Sequence, residues 1–102
     1  MADVVYGNFI WDSSKNEINK VRHGISFEFA AHVFQDPYLF EFPSADKNSS
    51  LEEARYDVVG CVNGVCLVFV ACTDRDELIR IISARKATKG ERKLYEEHIK
   101  RI

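Results

Sequence analysis

The chain has 102 residues, a formal net charge of −2 and a hydrophobic fraction of 46%. This length has room for one modest core, so we expect a single domain over residues 1–102. The hydrophobic fraction argues against global disorder, and no apolar run approaches the roughly 20 residues that span a membrane. The N-terminus shows no secretion signal. These features exclude a disordered or membrane-spanning chain and predict a cytoplasmic protein.

The first predicted helix covers residues 13–23, because Asp12 is a good N-cap residue and Gly24 is a typical helix terminator. Ile18 and Val21 lie on one side of this helix and are expected to pack against the rest of the protein. The opposite side is a continuous polar face with i, i+3, i+4 and i+7 spacing, formed by Asn16, Asn19, Lys20 and His23.

A short strand is predicted at residues 8–11, ahead of this helix, and a second helix is predicted after it. Ser26 can cap the second helix, and Asp36-Pro37 ends it because the residue before a proline avoids the helical conformation. Its buried stripe has the same helical spacing and consists of Phe27, Ala30, Ala31 and Phe34.

From residue 38 the apolar pattern changes from a helical to a strand period. Thr88 with Glu91 three residues later has the spacing of a capping box, which predicts a last helix from Thr88 to about Lys100. The predicted strands cover residues 38–42, 55–62, 65–73 and 78–84. Together these elements predict an α+β fold, in which an antiparallel sheet of about four strands packs against two N-terminal helices and a C-terminal helix.

The sequence Asn63-Gly64 is the strongest hairpin signal in the chain. A two-residue turn at this point would place Cys61 directly opposite Cys66 on paired strands. The third cysteine is Cys72, and the three show no C-x-x-C spacing. Because the cytosol is reducing, all three are expected to be free thiols.

The C-terminal fifth of the chain is strongly basic. Between residues 80 and 101, eight Lys or Arg side chains accompany three acids, which gives a local charge of +5. A cationic cluster in an acidic protein indicates a phosphate-bearing partner. Strict alternation along the strand at residues 78–84 and beyond would place Arg80 and Arg85 on opposite faces of the sheet.

Arg85 lies at a strand end before a helix N-terminus, which makes it a plausible anion clamp because guanidinium binds phosphate in a bidentate manner. Arg92 and Tyr95, on the helix that follows, belong to the same group of candidate residues. The alternative is internal ion pairing, in which Arg85 or Arg92 contacts Glu91 or Glu53.

Two further polar groups suggest acid–base chemistry. Lys20 and His23, one helical turn apart, can hold a phosphate and exchange a proton near neutral pH; the alternative is an ordinary solvated helix face. Glu53 can act as a general base beside Arg55, and the alternative is an ion pair at the rim. No histidine or aspartate pair has the spacing of a metal site, so chemistry without a metal or cofactor is expected.

These groups fall within an ordered series of motifs that resembles the BrnT toxin family of type II toxin–antitoxin systems. The resemblance covers residues 8–97, and the series is more specific than any single motif. The motifs are Phe9-Ile10-Trp11-Asp12 with Lys15 and Asn19, His23-Gly24-Ile25-Ser26-Phe27, Val33-Phe34-x-Asp36-Pro37, Glu53-x-Arg55, Ile81-Ile82-Ser83-Ala84-Arg85 and Glu91-Arg92-x-x-Tyr95.

The resemblance implies a RelE-like fold, a ribonuclease activity that halts growth by cleaving RNA, and a cognate antitoxin of the BrnA type. Such antitoxins carry a ribbon-helix-helix portion, so operator DNA is contacted only through the antitoxin, and no membrane partner is expected. The expected catalytic residues are His23, Glu53, Arg85, Arg92 and Tyr95. The residues expected to bind RNA phosphates are Lys20, Arg55, Arg80, Lys86 and Lys89.

One position departs from the family pattern in a way that bears on catalysis. Asn48 stands where family members usually carry a histidine just before the acidic segment. An asparagine binds phosphate but cannot transfer a proton at neutral pH. The alternative function is therefore a catalytically weakened, antitoxin-binding module that acts as co-repressor in the toxin–antitoxin complex.

Overall fold

The computed structural model describes residues 2–42 and 55–102. In this part of the chain, a 3₁₀ turn follows the second of three helices, and the strands form one six-stranded sheet. The elements are β1 (Asp3–Tyr6), β2 (Phe9–Asp12), α1 (Ser13–His23), α2 (Phe27–Ala31), the 3₁₀ turn (His32–Gln35), β3 (Phe40–Glu41), β4 (Arg55–Val62), β5 (Cys66–Arg75), β6 (Leu78–Lys86) and α3 (Lys89–Lys100).

The sheet is larger than expected and mixed, so the prediction of an antiparallel sheet of about four strands is wrong in both respects. The strand order is β1-β2-β6-β5-β4-β3, and every neighbouring pair is antiparallel except β2 with β6. That parallel pair is short, with Phe9 opposite Ile79 and Ile10 opposite Arg80. It joins segments about seventy residues apart, and local sequence patterns do not encode such pairing. The α+β class is confirmed.

Helix ends follow the predicted caps closely. The Asp12 carboxylate accepts hydrogen bonds from the amides of Ser14 at 2.8 Å and Lys15 at 3.2 Å, and Gly24 ends α1 with a φ of 72°. At α3, the side chain of Thr88 accepts from the Glu91 amide while the Glu91 carboxylate accepts from the Thr88 amide. Both reciprocal bonds of the predicted capping box are therefore present.

Helix α1 buries the opposite side from the one predicted. Asn16 and Asn19 are buried, whereas Ile18 is 55% exposed and Val21 is 90% exposed. The Asn19 amide nitrogen donates to the carbonyl oxygen of Ala84 at 2.8 Å, and its oxygen accepts from the Ala84 amide at 3.2 Å. Since β2 pairs with β6 only as far as Arg80, the Asn19 side chain satisfies backbone groups at an otherwise open strand edge.

The core lies between the sheet and helices α1 and α2. On the sheet side it is formed by alternate residues of β4 and β5, such as Val58 and Val70, and by Ile81 and Ala84 of β6. Trp11 of β2 joins them from the sheet, and Phe27 and Ala30 of α2 and Val33 of the 3₁₀ turn pack against them from the other side. Burial raises the pKa of the Cys72 thiol in this core to about 12. We call this side of the sheet the covered face.

The hairpin between β4 and β5 has a different register from the one predicted. Val62 lies opposite Cys66, and Cys61 lies opposite Leu67. Cys61 and Cys66 are therefore not directly opposed, because the turn contains Asn63, Gly64 and Val65 rather than two residues. All three cysteines are free, as predicted.

A bulge in β6 overturns the predicted separation of Arg80 from Arg85. Cys72 lies opposite Ile81 and Ala71 lies opposite Ser83, so Ile82 is an extra residue without a partner. One extra residue reverses the alternation of the side chains that follow it. Arg80, Ser83 and Arg85 therefore share the face opposite the covered one.

Candidate functional site

Arginines from three strands lie on the second face of the sheet, which we call the arginine face; one of them, Arg75, is exposed at the end of β5 opposite Leu78. Across the sheet, Arg55 of β4 lies opposite Thr73 of β5, which lies opposite Arg80 of β6. Two rows further along, Phe69 lies opposite Arg85. Because cross-strand partners share a face, the register brings Arg55, Arg80 and Arg85 to one side of the sheet.

Arg85 is held by an aromatic ring and a carboxylate. Its guanidinium carbon lies 4.2 Å from the centre of the Phe69 ring, which is cation–π geometry. Its Nη1 and Nη2 atoms donate to the two carboxylate oxygens of Glu91 at 2.8 and 2.9 Å. Of the two readings left open by the sequence, the structure contains the internal ion pair, and the paired guanidinium still lies on the arginine face.

The Arg85–Glu91 contact keeps both groups charged. The hydrogen bond to Glu91 raises the pKa of Arg85 above its ordinary value. Burial alone would raise the pKa of Glu91, but hydrogen bonds from Arg85 and the Thr88 amide outweigh it and bring that pKa below its ordinary value. At neutral pH a cation and an anion therefore face each other at the start of α3.

Arg80 and Arg55 differ in how firmly they are held. Arg80 is largely buried, and its Nη2 donates to the carboxylate of Asp3 in β1 at 3.3 Å. The Nη1 of Arg80 is buried with no hydrogen-bond partner among the described residues. Arg55 is exposed at the first position of β4. The sheet thus presents one fixed and one solvent-accessible cation in the same row.

His23 lies at the edge of the sheet beside the arginine face. It is exposed at the last position of α1. With Lys15 and Arg22 it lines a cleft of about 320 Å³ that also contacts Ser83 of β6. Since Ser83 shares a face with Arg85, this cleft brings an imidazole and two further cations to the border of the arginine face.

Lys20 and Lys86 lie together, but apart from the arginine face. Both line a cleft of about 420 Å³ with Phe29 and Cys66. Lys86 lies opposite Val68, a covered-face residue. The ammonium of Lys20 is 2.9 Å from the carboxylate of Glu17, and this hydrogen bond raises the pKa of Lys20. Among the predicted phosphate-binding residues, the structure therefore separates Lys20 and Lys86 from Arg55 and Arg80.

Tyr95 is buried, and its hydroxyl donates to the Oδ2 of Asp36 at 2.6 Å. The same oxygen accepts from the Cys61 amide at 2.7 Å, and the other carboxylate oxygen accepts from the Tyr38 amide at 2.9 Å. Burial, followed by the bond to Asp36, raises the pKa of Tyr95. Its hydroxyl is thus engaged in tying α3 to β4, and its catalytic role stays a prediction.

The remaining predicted residues divide between α3 and the undescribed segment. Lys89 and Arg92 are exposed in the first turns of α3. Glu53 lies outside the described residues. So does Asn48, which stands where family members usually carry a histidine. Phe69 is not among the residues predicted from the sequence, because an aromatic residue in an apolar strand is typical of a core. Its ring contact with Arg85 appears only once the register is known.

No group of three or more His, Cys, Asp or Glu side chains in residues 2–42 and 55–102 is arranged to hold a metal ion. No helix within these ranges is long and apolar enough to cross a membrane.

Comparisons with known proteins identify the class to which this fold belongs. A crystal structure described as the Brucella abortus ribonuclease toxin, BrnT, matches this chain with a TM-score of 0.58 and 22% sequence identity. The match covers 78% of this chain and 94% of that one. At this identity the likeness establishes a shared fold. Among curated proteins, no sequence is significantly similar to this chain.

The family follows from the sequence itself. Residues 11–91 match a family model described as "Ribonuclease toxin, BrnT, of type II toxin-antitoxin system". This match covers most of the 102 residues. The chain therefore belongs to the BrnT family of ribonuclease toxins, and the resemblance inferred from the ordered motifs is confirmed.

Proposed function

We propose that this chain is an active, metal-independent endoribonuclease that inhibits growth in the cytoplasm until an antitoxin neutralises it. The observation that carries the proposal is the arginine face. Arg55, Arg80 and Arg85 lie on one side of the sheet, although the whole chain is acidic. Family membership supplies the RNA target, and the cationic face supplies a surface on which phosphates can bind.

The proposed reaction is an attack of a ribose 2′-hydroxyl on the adjacent phosphorus. The 2′-oxygen–phosphorus bond forms as the bond to the 5′-oxygen breaks, which leaves a 2′,3′-cyclic phosphate and a 5′-hydroxyl. His23 or Glu53 removes the proton of the 2′-hydroxyl, and a second acid returns a proton to the leaving oxygen. His23 is accessible in a cleft that reaches Ser83, next to the arginine face.

Arg85 and Arg92 stabilise the negative charge that develops on the phosphate oxygens. A well-placed donor of this kind contributes roughly 3–4 kcal/mol to transition-state stabilisation. Lys20 and Lys86 line a separate cleft, so we assign them to binding the RNA strand beyond the reacting phosphate. We assign Arg55, Arg80 and Lys89 to similar contacts with phosphates of the RNA backbone. Because these contacts are electrostatic, RNA binding should weaken as the salt concentration rises.

The proposed partner is an antitoxin of the BrnA type with a ribbon-helix-helix portion. The family description places the chain in a type II system, in which toxin and antitoxin are both proteins. The proposal includes a RelE-like fold for this chain. It also includes contact with operator DNA only through the antitoxin.

A purified-protein assay tests the ribonuclease proposal. The wild-type chain, incubated with RNA in the presence of EDTA, should generate 2′,3′-cyclic phosphate ends. Arg85→Ala should lower the cleavage rate by about a hundredfold or more, whereas Lys100→Ala, at the far end of α3, should change it little. Products with 3′-hydroxyl ends, or cleavage that disappears with EDTA, would contradict the proposed chemistry.

The second candidate function is the weakened co-repressor module, and Asn48 is the observation that favours it. In that case the wild-type chain binds the antitoxin and cleaves RNA slowly or not at all. Asn48→His should then raise RNA cleavage sharply while antitoxin binding stays unchanged. An unchanged cleavage rate in this variant would count against the co-repressor account.

A further inference from the structure

The contact between Arg85 and Glu91 bears on how the proposed reaction is organised. Each terminal nitrogen of Arg85 donates to a different carboxylate oxygen, at 2.8 and 2.9 Å. Arg85 Nη1 also donates to the Lys86 carbonyl oxygen at 3.2 Å. Phe69 lies under the guanidinium plane, with its ring centre 4.2 Å from the guanidinium carbon. The ring therefore limits the tilt of the plane, and the carboxylate limits its rotation.

These contacts leave one edge of the guanidinium without a described partner. A guanidinium carries five N–H groups, and the described bonds use two of Nη1 and one of Nη2. The two others, on Nε and Nη2, point along the same edge. That edge matches two oxygens of a phosphate, which is the bidentate geometry that arginine offers to such groups.

Glu91 is itself fixed by the start of α3. Its carboxylate accepts from the Thr88 amide at 2.9 Å, and its amide donates to the Thr88 hydroxyl at 3.2 Å. The Glu91 side chain is only 16% exposed. The Thr88 amide thus connects the orientation of Arg85, through the Glu91 carboxylate, to the start of α3, so the guanidinium is oriented before any ligand arrives.

We propose that Glu91 is a positioning residue that holds Arg85 with its free edge toward the phosphate to be cleaved. The inference rests on the proposed ribonuclease function and adds to it a residue that does not touch the substrate. Preorganised donors stabilise charge without reorganising during the reaction, and a displacement of about 1 Å costs roughly a hundredfold in rate. The Glu91 carboxylate then orients the Arg85 guanidinium and leaves its free edge available to a phosphate.

A double-mutant cycle on the full chain tests this role by RNA cleavage. Glu91→Gln should lower kcat by about tenfold to a hundredfold while KM changes by less than about threefold. Combined with Arg85→Ala, it should cause no further loss, because Glu91 acts through Arg85. Thr88→Ala is the matched control. It removes the Thr88 hydroxyl from the capping box but keeps the Thr88 amide that bonds to the Glu91 carboxylate, so its kcat should stay within about threefold of wild type.

Two kinetic results would overturn the positioning role. One is an equal loss in Glu91→Gln and Thr88→Ala, which would mean that Glu91 acts only by capping the helix. The other is multiplicative losses in the double variant, which would mean that Glu91 acts independently of Arg85.

A binding measurement separates failure of this inference from failure of the ribonuclease proposal. Inorganic phosphate, titrated into ¹⁵N-labelled protein, should shift the Arg85 Nε–H signal in the wild type and in Thr88→Ala but not in Glu91→Gln. If the three proteins show this pattern but the wild type does not cleave RNA, the ribonuclease proposal fails. The role of Glu91 in orienting Arg85 toward a phosphate then stands. A shift retained in Glu91→Gln, or no shift in any of the three proteins, would overturn the positioning role.

Discussion

The two faces of the sheet differ in chemical character, although neighbouring residues of the same strands form both. On the covered face, Val70 and Ile81 are buried in one cluster with side chains of α2, such as Phe27. On the arginine face, Phe69 and Arg85 form a stacked pair whose cation also bonds to α3. Burial of apolar area stabilises the first face, whereas the second face carries charged side chains beside the buried Val59 and Ala71. The covered face therefore holds most of the core, and the arginine face holds the proposed RNA site.

The largest expected effect is a loss of stability on the covered face. Phe27 is fully buried in the core, so Phe27→Ala should lower the free energy of unfolding by about 3–5 kcal/mol. Arg55→Ala, at an exposed position of the arginine face, should change it by less than about 0.5 kcal/mol. Urea denaturation of both variants makes the measurement. Similar losses in the two variants would contradict the division between faces.

The next effect concerns the polar anchor of α1. Asn19→Ala leaves the amide and carbonyl of Ala84 and the carbonyl of Ile25 without this partner, and should destabilise the protein by about 2–4 kcal/mol. Val21→Ala, at the exposed position of the same helix, should cost less than about 0.5 kcal/mol. If thermal denaturation ranks the two variants in the reverse order, the packing of α1 has been misassigned.

A smaller effect is expected where α3 is tied to β4. Tyr95→Phe removes the hydroxyl that donates to Asp36, which should cost about 1–3 kcal/mol of unfolding free energy. Tyr38→Phe, at an exposed position, is the control. At temperatures where both variants are folded, Tyr95→Phe should retain wild-type RNA cleavage. A cleavage rate reduced more than tenfold in the folded variant would instead support the catalytic role predicted from the sequence.

The smallest effect is a pH dependence of stability at the Arg85–Glu91 pair. The pKa of Glu91 is lowered in the folded protein from its ordinary 4.5, so its contribution is present above that value and is lost as the pH falls through the folded pKa. Between about pH 5 and pH 3, wild type should therefore lose more stability than Glu91→Gln. Glu96→Gln, at an exposed position of α3, should follow the wild type. Parallel curves for wild type and Glu91→Gln would contradict the lowered pKa.

Local signals in the sequence predicted the helices well and the sheet less well. The capping residues Asp12, Gly24 and Thr88 placed the ends of α1 and α3 correctly because caps act within one turn of the chain. The parallel pairing of β2 with β6 and the bulge at Ile82 depend on contacts between distant segments. No periodicity within a single strand reveals either feature.

For the candidate site, the sequence supplies residue types but not their arrangement. Arg80 and Arg85 were both selected from the basic cluster, but strict alternation separated them, and the bulge brings them to one face. Both sequence interpretations of the polar face of α1, a phosphate-binding group and a solvated face, leave it at the surface, because its hydrogen-bond partners at Ala84 and Phe27 are invisible in the sequence. The side of α1 that is buried is therefore set by hydrogen bonds to the edge of β6, and not by the apolar residues of the helix.

The most direct test of the central claim is expression of this chain alone in a bacterial host, beside the double variant Arg85→Ala, Arg92→Ala. Growth and total RNA integrity would be followed in both cultures, with the amount of soluble protein matched. The account predicts growth arrest with RNA fragmentation in the wild type, relieved in the double variant. Normal growth with intact RNA in the presence of soluble wild-type protein would contradict it.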